Sequence, residues 1–217
     1  MTESYAYGMW PLVLINAGIF ILFVFSFLKP KRQWEWRSMG AFTAFVVALF
    51  TEMYGFPLTV YMLTAILGSR YPVTNPFSHA SGNLLGVFFG GSELISGLFM
   101  FLGGAVMLVG LVIMGRAWKQ IHKANRELVT SGIYDRMRHP QYFGLFLITV
   151  GMLIQWPTIV TAVMWPILTF MYYRLARREE KEMEARFGDK YVAYRRIVPM
   201  FIPRLATTSP VTGQTVT

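Results

Sequence analysis

The stretch that decides the fold is residues 140–175, PQYFGLFLITVGMLIQWPTIVTAVMWPILTFMYYRL, which contains no charged side chain before Arg174. Its two halves, residues 140–156 and 157–175, are each close to the ~20 residues that a helix needs to cross the hydrocarbon core of a bilayer. The second half follows the first with almost no intervening loop. The stretch therefore predicts two membrane-spanning helices joined in a tight hairpin.

The whole chain has the composition of an integral membrane protein. Of its 217 residues, 54% are hydrophobic and only 14% are charged, whereas soluble domains usually carry about 25% charged residues. The same figures exclude an intrinsically disordered chain, because such chains are poor in apolar residues. The chain contains no cysteine, which excludes disulfide bonds, thiol nucleophiles and cysteine-ligated metal clusters.

Three further apolar stretches bring the predicted number of membrane spans to five. They are residues 10–28, 38–67 and 93–115. The second is longer than a straight span requires, and Pro57 within it removes a backbone hydrogen bond, so we expect one long helix that is tilted or broken. The third is rich in glycine, which allows close packing against a neighbouring helix. The predicted fold is an all-α bundle of five transmembrane helices.

The positions of the basic residues predict how this bundle is oriented. Of the 20 Lys and Arg residues, only Arg70 falls on one side of the membrane, and the other 19 share the opposite side. The positive-inside rule therefore places the N-terminus outside and the C-terminus in the cytoplasm. The net charge of +9 is then explained by topology, and we expect no nucleic-acid partner. Because the chain is short and has no retention signal, a prokaryotic inner membrane is the expected location.

Polar residues gather on the predicted cytoplasmic side in two segments, of which the first is GIYDRMRHPQYFG, residues 132–144. Pro140 suits the first turn of a helix, since its missing N–H would be unpaired there anyway. The free N–H groups of that turn attract anions such as a carboxylate or a phosphate. Arg138 adds a formal charge, and His139 adds a titratable group. These residues by themselves predict either an anion-binding site or only a basic membrane anchor and helix cap.

The second segment is RLARREEKEMEARFGDKY, residues 174–191, which continues the last span into water. Arg178 and Glu182 are four residues apart and can pair along one helix face, which is typical of a solvated charged helix. Arg174 and Glu179 differ because they lie at the mouth of the predicted bundle, where desolvation perturbs pKa values and marks candidate functional residues. The tail over residues 176–203 is predicted to form a helix, a turn at Gly188 and a second short helix.

Together the two segments form a longer pattern. It reads G-x-Y-x-x-x-R-H-P-x-Y-x-G over residues 132–144, R-x-x-x-x-E-E over 174–180, F-G-x-x-Y-x-x-Y over 187–194 and V-P at 198–199, with a helical hairpin between the first two parts. This pattern resembles the isoprenylcysteine carboxyl methyltransferase family, and phospholipid methyltransferases and bacterial thiol methyltransferases share it. The resemblance covers roughly residues 100–203, nearly half of the chain.

The resemblance implies an enzyme that binds S-adenosylmethionine at the cytoplasmic face and methylates a small or lipophilic acceptor: a thiol, a carboxylate or a lipid amine. Arg174 and Glu179 would lie at the reacting centre and orient the acceptor. The residues that the motif assigns to the cofactor are Gly132, Tyr134, Arg138, His139, Pro140, Tyr142, Gly144 and Glu180.

The resemblance also divides the chain into three predicted regions. Residues 1–99 would select the acceptor, residues 100–205 would bind the cofactor, and residues 206–217 are predicted to be disordered. Within the first region, Glu52 is an acid inside a membrane span, and such residues are candidates for function. Together with Tyr54 and Tyr61, it is predicted to border a lateral path for a lipophilic acceptor between the second and fifth spans.

Two other functions fit parts of the same sequence. Membrane sterol reductases, which use NADPH, carry a similar R-H-P-x-Y-x-G string, but the acids at residues 179–180 would repel the extra phosphate of NADPH. A membrane scaffold or transport subunit with a basic cytoplasmic face is the second alternative, and retention of a soluble cofactor would argue against it. The histidines, His79, His122 and His139, lack the spacing of metal ligands, so we expect no metal site. The oligomeric state is left open.

Overall fold

The computed structural model describes residues 8–27, 33–71, 79–90, 92–124 and 127–204, and within these ranges the chain is helical and contains no strand. The predicted all-α class is confirmed. The predicted disorder of residues 206–217 lies outside the described ranges. The helices are α1 (Trp10–Phe27), α2 (Gln33–Phe50), α3 (Leu58–Leu67), α4 (Leu84–Phe88), α5 (Glu93–Lys123), α6 (Ile133–Arg136), α7 (Pro140–Gln155), α8 (Ile159–Phe187) and α9 (Asp189–Ile197).

Three helical stretches of the described chain are long and apolar enough to cross a bilayer. They are Trp36–Gly55, Glu93–Lys123 and Ile159–Phe187. Helices α1 and α7 are also apolar but shorter. The chain therefore has the helices of an integral membrane protein, while the count of five spans and the orientation of the termini stay predictions.

The interruption expected near Pro57 lies between α2 and α3. Helix α2 passes into one π-helical turn, Thr51–Gly55, and the backbone becomes extended at Phe56. Helix α3 then begins at the residue after Pro57, where the missing N–H of proline breaks no helical hydrogen bond. The prediction of a broken helix is confirmed.

Helix α7 packs most extensively against α5 rather than against its hairpin partner α8. Gly110 of α5 and Gly144 of α7 face each other, and a Cβ atom on Gly110 would lie 2.6 Å from the carbonyl oxygen of Gly144. Seven residues earlier in α5 and seven residues later in α7, Gly103 and Gly151 repeat the arrangement at 2.5 Å. The glycines thus let the two backbones touch, as the glycine-rich third span predicts.

Helix α8 extends well beyond its apolar half, and this extension carries the candidate site. A capping box at Thr158 starts the helix three residues after α7 ends, which confirms the tight connection. Gly188, with φ of +55°, ends α8 and leads directly into α9. The helix–turn–helix form predicted for the tail is therefore confirmed, and it places α9 beside the start of α7.

Candidate functional site

A cavity of about 560 Å³ lies where α7 begins and α8 leaves its apolar half. This volume falls within the ~300–1,000 Å³ typical of small-molecule sites. Four residues predicted from the sequence border it: Tyr134, Arg138, His139 and Glu179. The end of α5, helix α6 and helix α9 complete the wall, so five helices meet around one space.

Arg138 anchors the cavity through a buried ion pair with Glu180. Its Nη2 lies 2.6 Å from Oε1 of Glu180, and its Nε donates a hydrogen bond of 2.7 Å to the same oxygen. Its Nη1 donates to the carbonyl oxygens of Arg195 and Val198. Glu180 is therefore engaged behind the cavity wall, where it holds Arg138 in place.

His139 lies between the two adjacent acids of α8. Its Nδ1 is 3.6 Å from Oε2 of Glu179, and its Nε2 is 3.5 Å from Oε1 of Glu180. Nε2 is buried and has no hydrogen-bond partner among the described residues. Burial opposes the protonated imidazole, but the two carboxylates outweigh it and raise the pKa of His139 above its ordinary value. A protonated His139 thus balances part of the negative charge that Glu179 and Glu180 bring to the site.

Of the adjacent acids Glu179 and Glu180, Glu179 is the one that borders the cavity. Its side chain is 35% exposed, and its Oε1 accepts a hydrogen bond of 2.6 Å from the hydroxyl of the buried Tyr142. The ring of Tyr142 packs against that of Tyr172 at 5.7 Å. The hydroxyl of Tyr172 is buried without a hydrogen-bond partner among the described residues. Glu179 is therefore an oriented carboxylate that still has access to a ligand.

Tyrosines of α6 and α9 form the aromatic part of the wall. Tyr194 donates a hydrogen bond of 2.6 Å to the carbonyl oxygen of Tyr134, and its ring lies 6.0 Å from that of Tyr191. Burial, reinforced by the charge of Glu180, raises the pKa of Tyr191 to about 12. These phenols therefore stay neutral at physiological pH, and they offer ring faces and hydroxyl groups to a ligand.

The segment after α9 fixes this arrangement through backbone hydrogen bonds. The N–H of Arg138 donates to the carbonyl of Pro199 at 2.9 Å, and the N–H of His139 donates to that of Met200 at 3.1 Å. Further along, the ring of Phe201 packs 5.8 Å from that of His139. The R-H-P segment is thus tied to the tail by backbone hydrogen bonds, which explains why the two parts of the sequence pattern occur together.

Some of the predicted cofactor residues lie outside the cavity wall. Gly144 packs against Gly110 of α5, and Gly132 starts α6 with φ of +66° beside the side chain of Gln120. Pro140 is buried in the first turn of α7, as its residue type predicts. These three residues shape the backbone that carries Tyr134, Arg138 and His139.

Arg174, predicted to act at the reacting centre, is not part of the described wall of this cavity. Its side chain is exposed, and its guanidinium carbon lies 5.7 Å from the centre of the Phe170 ring. It borders a separate basic hollow on the outer face of α8. The structure therefore brings together only one of the two predicted catalytic residues, Glu179, with the cofactor residues.

The predicted acceptor residues lie at the opposite end of the bundle. Glu52 is buried and accepts a hydrogen bond of 3.0 Å from the N–H of Thr59, whose hydroxyl accepts one from the N–H of Ile159. Ile159 starts α8, twenty residues before Glu179, which is about 30 Å along a helix. Tyr54 stacks on Phe50 and Tyr61 packs on Phe56 in the same region, so the structure does not bring these three predicted residues to the cavity.

Other cavity residues were not predicted from the sequence as site residues. Tyr191 and Tyr194 belong to the quoted sequence pattern. Their spacing of three residues puts both on one helix face, and this spacing is the signal that marks them as site residues. The loop residues Glu127, Leu128 and Val129 also border the cavity, but no local pattern marks them. Within the described ranges, no group of three or more acidic or histidine side chains is arranged to hold a metal ion.

Known proteins resemble the region that carries this site. Residues 96–185 match the model of the isoprenylcysteine carboxyl methyltransferase (ICMT) family. Protein-S-isoprenylcysteine O-methyltransferase B of Arabidopsis thaliana is 30% identical over 115 residues, which are 49% of this chain and 57% of the relative. The corresponding enzyme of Schizosaccharomyces pombe is 31% identical over 110 residues, 48% of this chain and 47% of the relative.

A relative with a different name matches equally well. The cobalt-zinc-cadmium resistance protein CzcN of Cupriavidus metallidurans is 33% identical over 116 residues, 52% of each chain. The chain thus spans about half the length of the curated relatives it matches. The matched region contains the R-H-P segment, the hairpin and the acidic pair. Through residues 96–185, this chain is similar to the isoprenylcysteine carboxyl methyltransferase family.

Proposed function

We propose that the protein is a membrane methyltransferase that uses S-adenosylmethionine and acts on a small or lipophilic acceptor with a thiol, a carboxylate or a lipid amine. The observation that carries the proposal is the cavity in which Glu179, held by Tyr142, faces a wall of tyrosines beside the buried Arg138–Glu180 pair. With the predicted topology of five spans, this cavity opens to the cytoplasm of a prokaryotic cell.

The residues present fit this cofactor. S-adenosylmethionine has a carboxylate, an amino group, a sulfonium and an adenine, and the cavity offers a group suited to each. Glu179 would bind the amino group or the ribose hydroxyls, and His139 would face the carboxylate. Tyr191 and Tyr194 would stack with the adenine or face the sulfonium, since aromatic rings attract cations. The buried Nε2 of His139, without a hydrogen-bond partner among the described residues, is a further position for a ligand atom.

The charges around the cavity favour this cofactor over NADPH. Glu127, Glu179 and Glu182 border the space, and they would repel the phosphate groups of a dinucleotide. Two arginines, Arg138 and Arg186, border the same space, and Arg138 already pairs with Glu180 at 2.6 Å. A sulfonium is compatible with this balance of charge, whereas the phosphates of NADPH are not.

The chain itself contributes positioning and exclusion of water. When bound, S-adenosylmethionine supplies a methyl group activated by the positive sulfur. Tyr142 fixes the carboxylate of Glu179, and the tail after α9 fixes Arg138 and His139, so these groups are oriented before a ligand arrives. A thiolate or carboxylate acceptor needs no general base, whereas an amine must lose a proton, which Glu179 would take.

Calorimetric titration of the protein in detergent with S-adenosylmethionine, S-adenosylhomocysteine and NADPH tests the proposal. We expect saturable binding of the first two ligands, weakened at least tenfold in Glu179→Gln. Glu93→Gln is the matched control, because Glu93 starts α5 at the other end of the bundle and is exposed. Binding of NADPH alone would favour a reductase, and binding of none of the three would favour a scaffold.

The acceptor is then identified by methylation assays with radiolabelled S-adenosylmethionine. Four acceptors should be compared: a small thiol, a fatty acid, phosphatidylethanolamine and a prenylcysteine, the last because two relatives are named for isoprenylcysteine. Methylation of one acceptor well above the others would define the substrate class. If the protein binds the cofactor but methylates none of them, this acceptor range is wrong.

A further inference from the structure

Hydroxyl groups of α2 and α8 lie buried inside the bundle without a hydrogen-bond partner among the described residues. They are Oγ of Ser38, Oγ1 of Thr169 and the phenol oxygen of Tyr172, and Ser38 and Tyr172 are only 1% and 3% exposed. A serine or threonine inside a helix can bond to the carbonyl four residues earlier, as Thr149 does with Leu145 at 3.0 Å, but Ser38 does not. Because a buried hydroxyl without a partner is costly, these groups suit a polar group that a ligand brings.

Ser38 begins the buried face of α2. Four more residues continue this face at helical spacing, the last of them in the π-helical turn: Phe42, Phe45, Leu49 and Glu52. The three apolar ones share one buried cluster with Tyr172, and α2 packs against α8. The hydroxyls of Ser38 and Tyr172 therefore belong to the sides of the two helices that are turned into the bundle.

Ser38 and Tyr172 lie at about the same level of the bundle. At the end away from the cavity, Glu52 accepts a hydrogen bond from the N–H of Thr59, whose hydroxyl accepts one from the N–H of Ile159 at the start of α8. Since the end of α2 thus meets the start of α8, the two packed helices run in opposite directions. Ser38 lies fourteen residues before Glu52, and Tyr172 lies thirteen after Ile159, which are both about 20 Å along a helix. The two hydroxyls can therefore bind one ligand group together.

Tyr172 lies on the bundle side of the candidate site. It precedes Glu179 by seven residues, which is two helical turns on one face of α8, and the small, buried Ala176 lies between them on this face. The ring of Tyr172 packs 5.7 Å from that of Tyr142 and 6.0 Å from that of Phe146, and Tyr142 in turn holds Glu179. Tyr172 is thus fixed about 10 Å deeper along α8 than the residue whose carboxylate borders the cavity.

We propose that the hydroxyls of Tyr172 and Ser38 bind a carbonyl group of the lipophilic acceptor, deeper in the bundle than the atom that is methylated. Both hydroxyls can donate, and a carbonyl oxygen has two lone pairs that accept. Phe42, Phe45 and Phe146 belong to the same packed region and suit the hydrocarbon on either side of such a carbonyl. A site of this kind rejects a ligand that lacks the carbonyl, because its hydroxyls are then left unpaired. That the ligand is the methyl acceptor rests on the proposed function, whereas the hydroxyl pair does not.

The test compares two lipids that differ only in this group, in calorimetric titrations of the full chain in detergent. Dioctanoylglycerol carries ester carbonyls, and dioctylglycerol is its ether analogue without them. The test variants are Tyr172→Phe and Ser38→Ala. Their matched controls are Tyr173→Phe, at the next position of α8 and 45% exposed, and Ser26→Ala, which is exposed on α1.

We expect the ester to bind roughly fivefold more tightly than the ether, which is the contribution of a hydrogen bond between neutral groups. The ratio of the two affinities should fall toward one in both test variants and stay unchanged in both controls. A merely structural change would weaken both lipids alike and leave this ratio as it is. Tyr172→Phe should also leave the thermal midpoint of unfolding without lipid unchanged, because its hydroxyl has no partner within the described part of the chain.

Two results would overturn the proposal. The first is equal binding of ester and ether by the parent protein, or binding of neither, which would mean that the carbonyl is not recognised. The second is a lower midpoint of unfolding in Tyr172→Phe together with an unchanged ratio of affinities, which would mean that the hydroxyl serves the fold.

Titration of the same proteins with S-adenosylhomocysteine tests the proposed function separately. A parent protein that prefers the ester but does not bind S-adenosylhomocysteine keeps the carbonyl site and loses only the assignment of its ligand as a methyl acceptor. The failure of one proposal is therefore distinguished from the failure of the other.

Discussion

The guanidinium of Arg138 lies 2.6 Å from the carboxylate of Glu180, and this pair joins the start of α7 to the far end of α8. Both side chains are buried, at 10% and 2% exposure. The same guanidinium holds the carbonyl oxygens of Arg195 and Val198. One side chain therefore links the R-H-P segment, the acidic pair and the tail, which are the three parts of the sequence pattern.

Arg138→Met should strongly destabilise the protein, because it leaves Glu180 buried without its main partner. Removing one member of a buried ion pair typically costs about 3–5 kcal/mol. The double variant Arg138→Met, Glu180→Met should recover much of the loss, since no charge is then left unpaired. Thermal unfolding in detergent measures both. Equal stability of the single and double variants would show that the pair does not behave as a buried unit.

The stability of the protein should fall as pH rises through the pKa of His139. Glu179 and Glu180 raise that pKa in the folded protein above the ordinary value of 6.5. The stabilisation is therefore complete below about pH 6.5 and is lost as the pH rises through the folded-state pKa. His139→Gln should flatten this part of the profile. A midpoint of unfolding that depends on pH identically in both proteins would contradict the prediction.

Gly110→Ala should destabilise the contact between α5 and α7. A Cβ atom there would lie 2.6 Å from the carbonyl oxygen of Gly144, and overpacking of this kind costs about 1–3 kcal/mol. Gly115→Ala is the matched control one turn later on α5, because no atom lies within 4 Å of its added Cβ. Thermal unfolding should separate the two variants, and equal midpoints would mean that the helices can move apart freely.

Tyr142→Phe should weaken cofactor binding roughly tenfold. The change removes the hydroxyl that donates to Glu179 at 2.6 Å, and a hydrogen bond to a charged group contributes about 1.5–3 kcal/mol. Titration with S-adenosylhomocysteine measures the effect. Tyr173→Phe is the control, since Tyr173 is exposed and outside the cavity wall. An unchanged dissociation constant for Tyr142→Phe would show that the orientation of Glu179 is irrelevant to binding.

Much of the architecture follows from local rules and was predictable from the sequence. The apolar stretches predict where helices lie, because each must bury or shield its backbone groups. Pro57 predicts the break before α3, and Gly188 predicts the turn between α8 and α9, because proline and glycine act on their own backbone. The sequence pattern at residues 132–144 and 174–180 also indicates two segments that lie together around the candidate site.

The roles of individual side chains depended on tertiary packing. Adjacent residues of a helix point about 100° apart, so Glu179 and Glu180 meet different surroundings. The rotation of α8 against its neighbours decides that Glu179 borders the cavity, that Glu180 pairs with Arg138 and that Arg174 faces outward. The sequence by itself determined which segments are helical, since that depends on neighbouring residues. Only the packed structure decided which face each helix presents, because that depends on contacts between residues far apart in the chain.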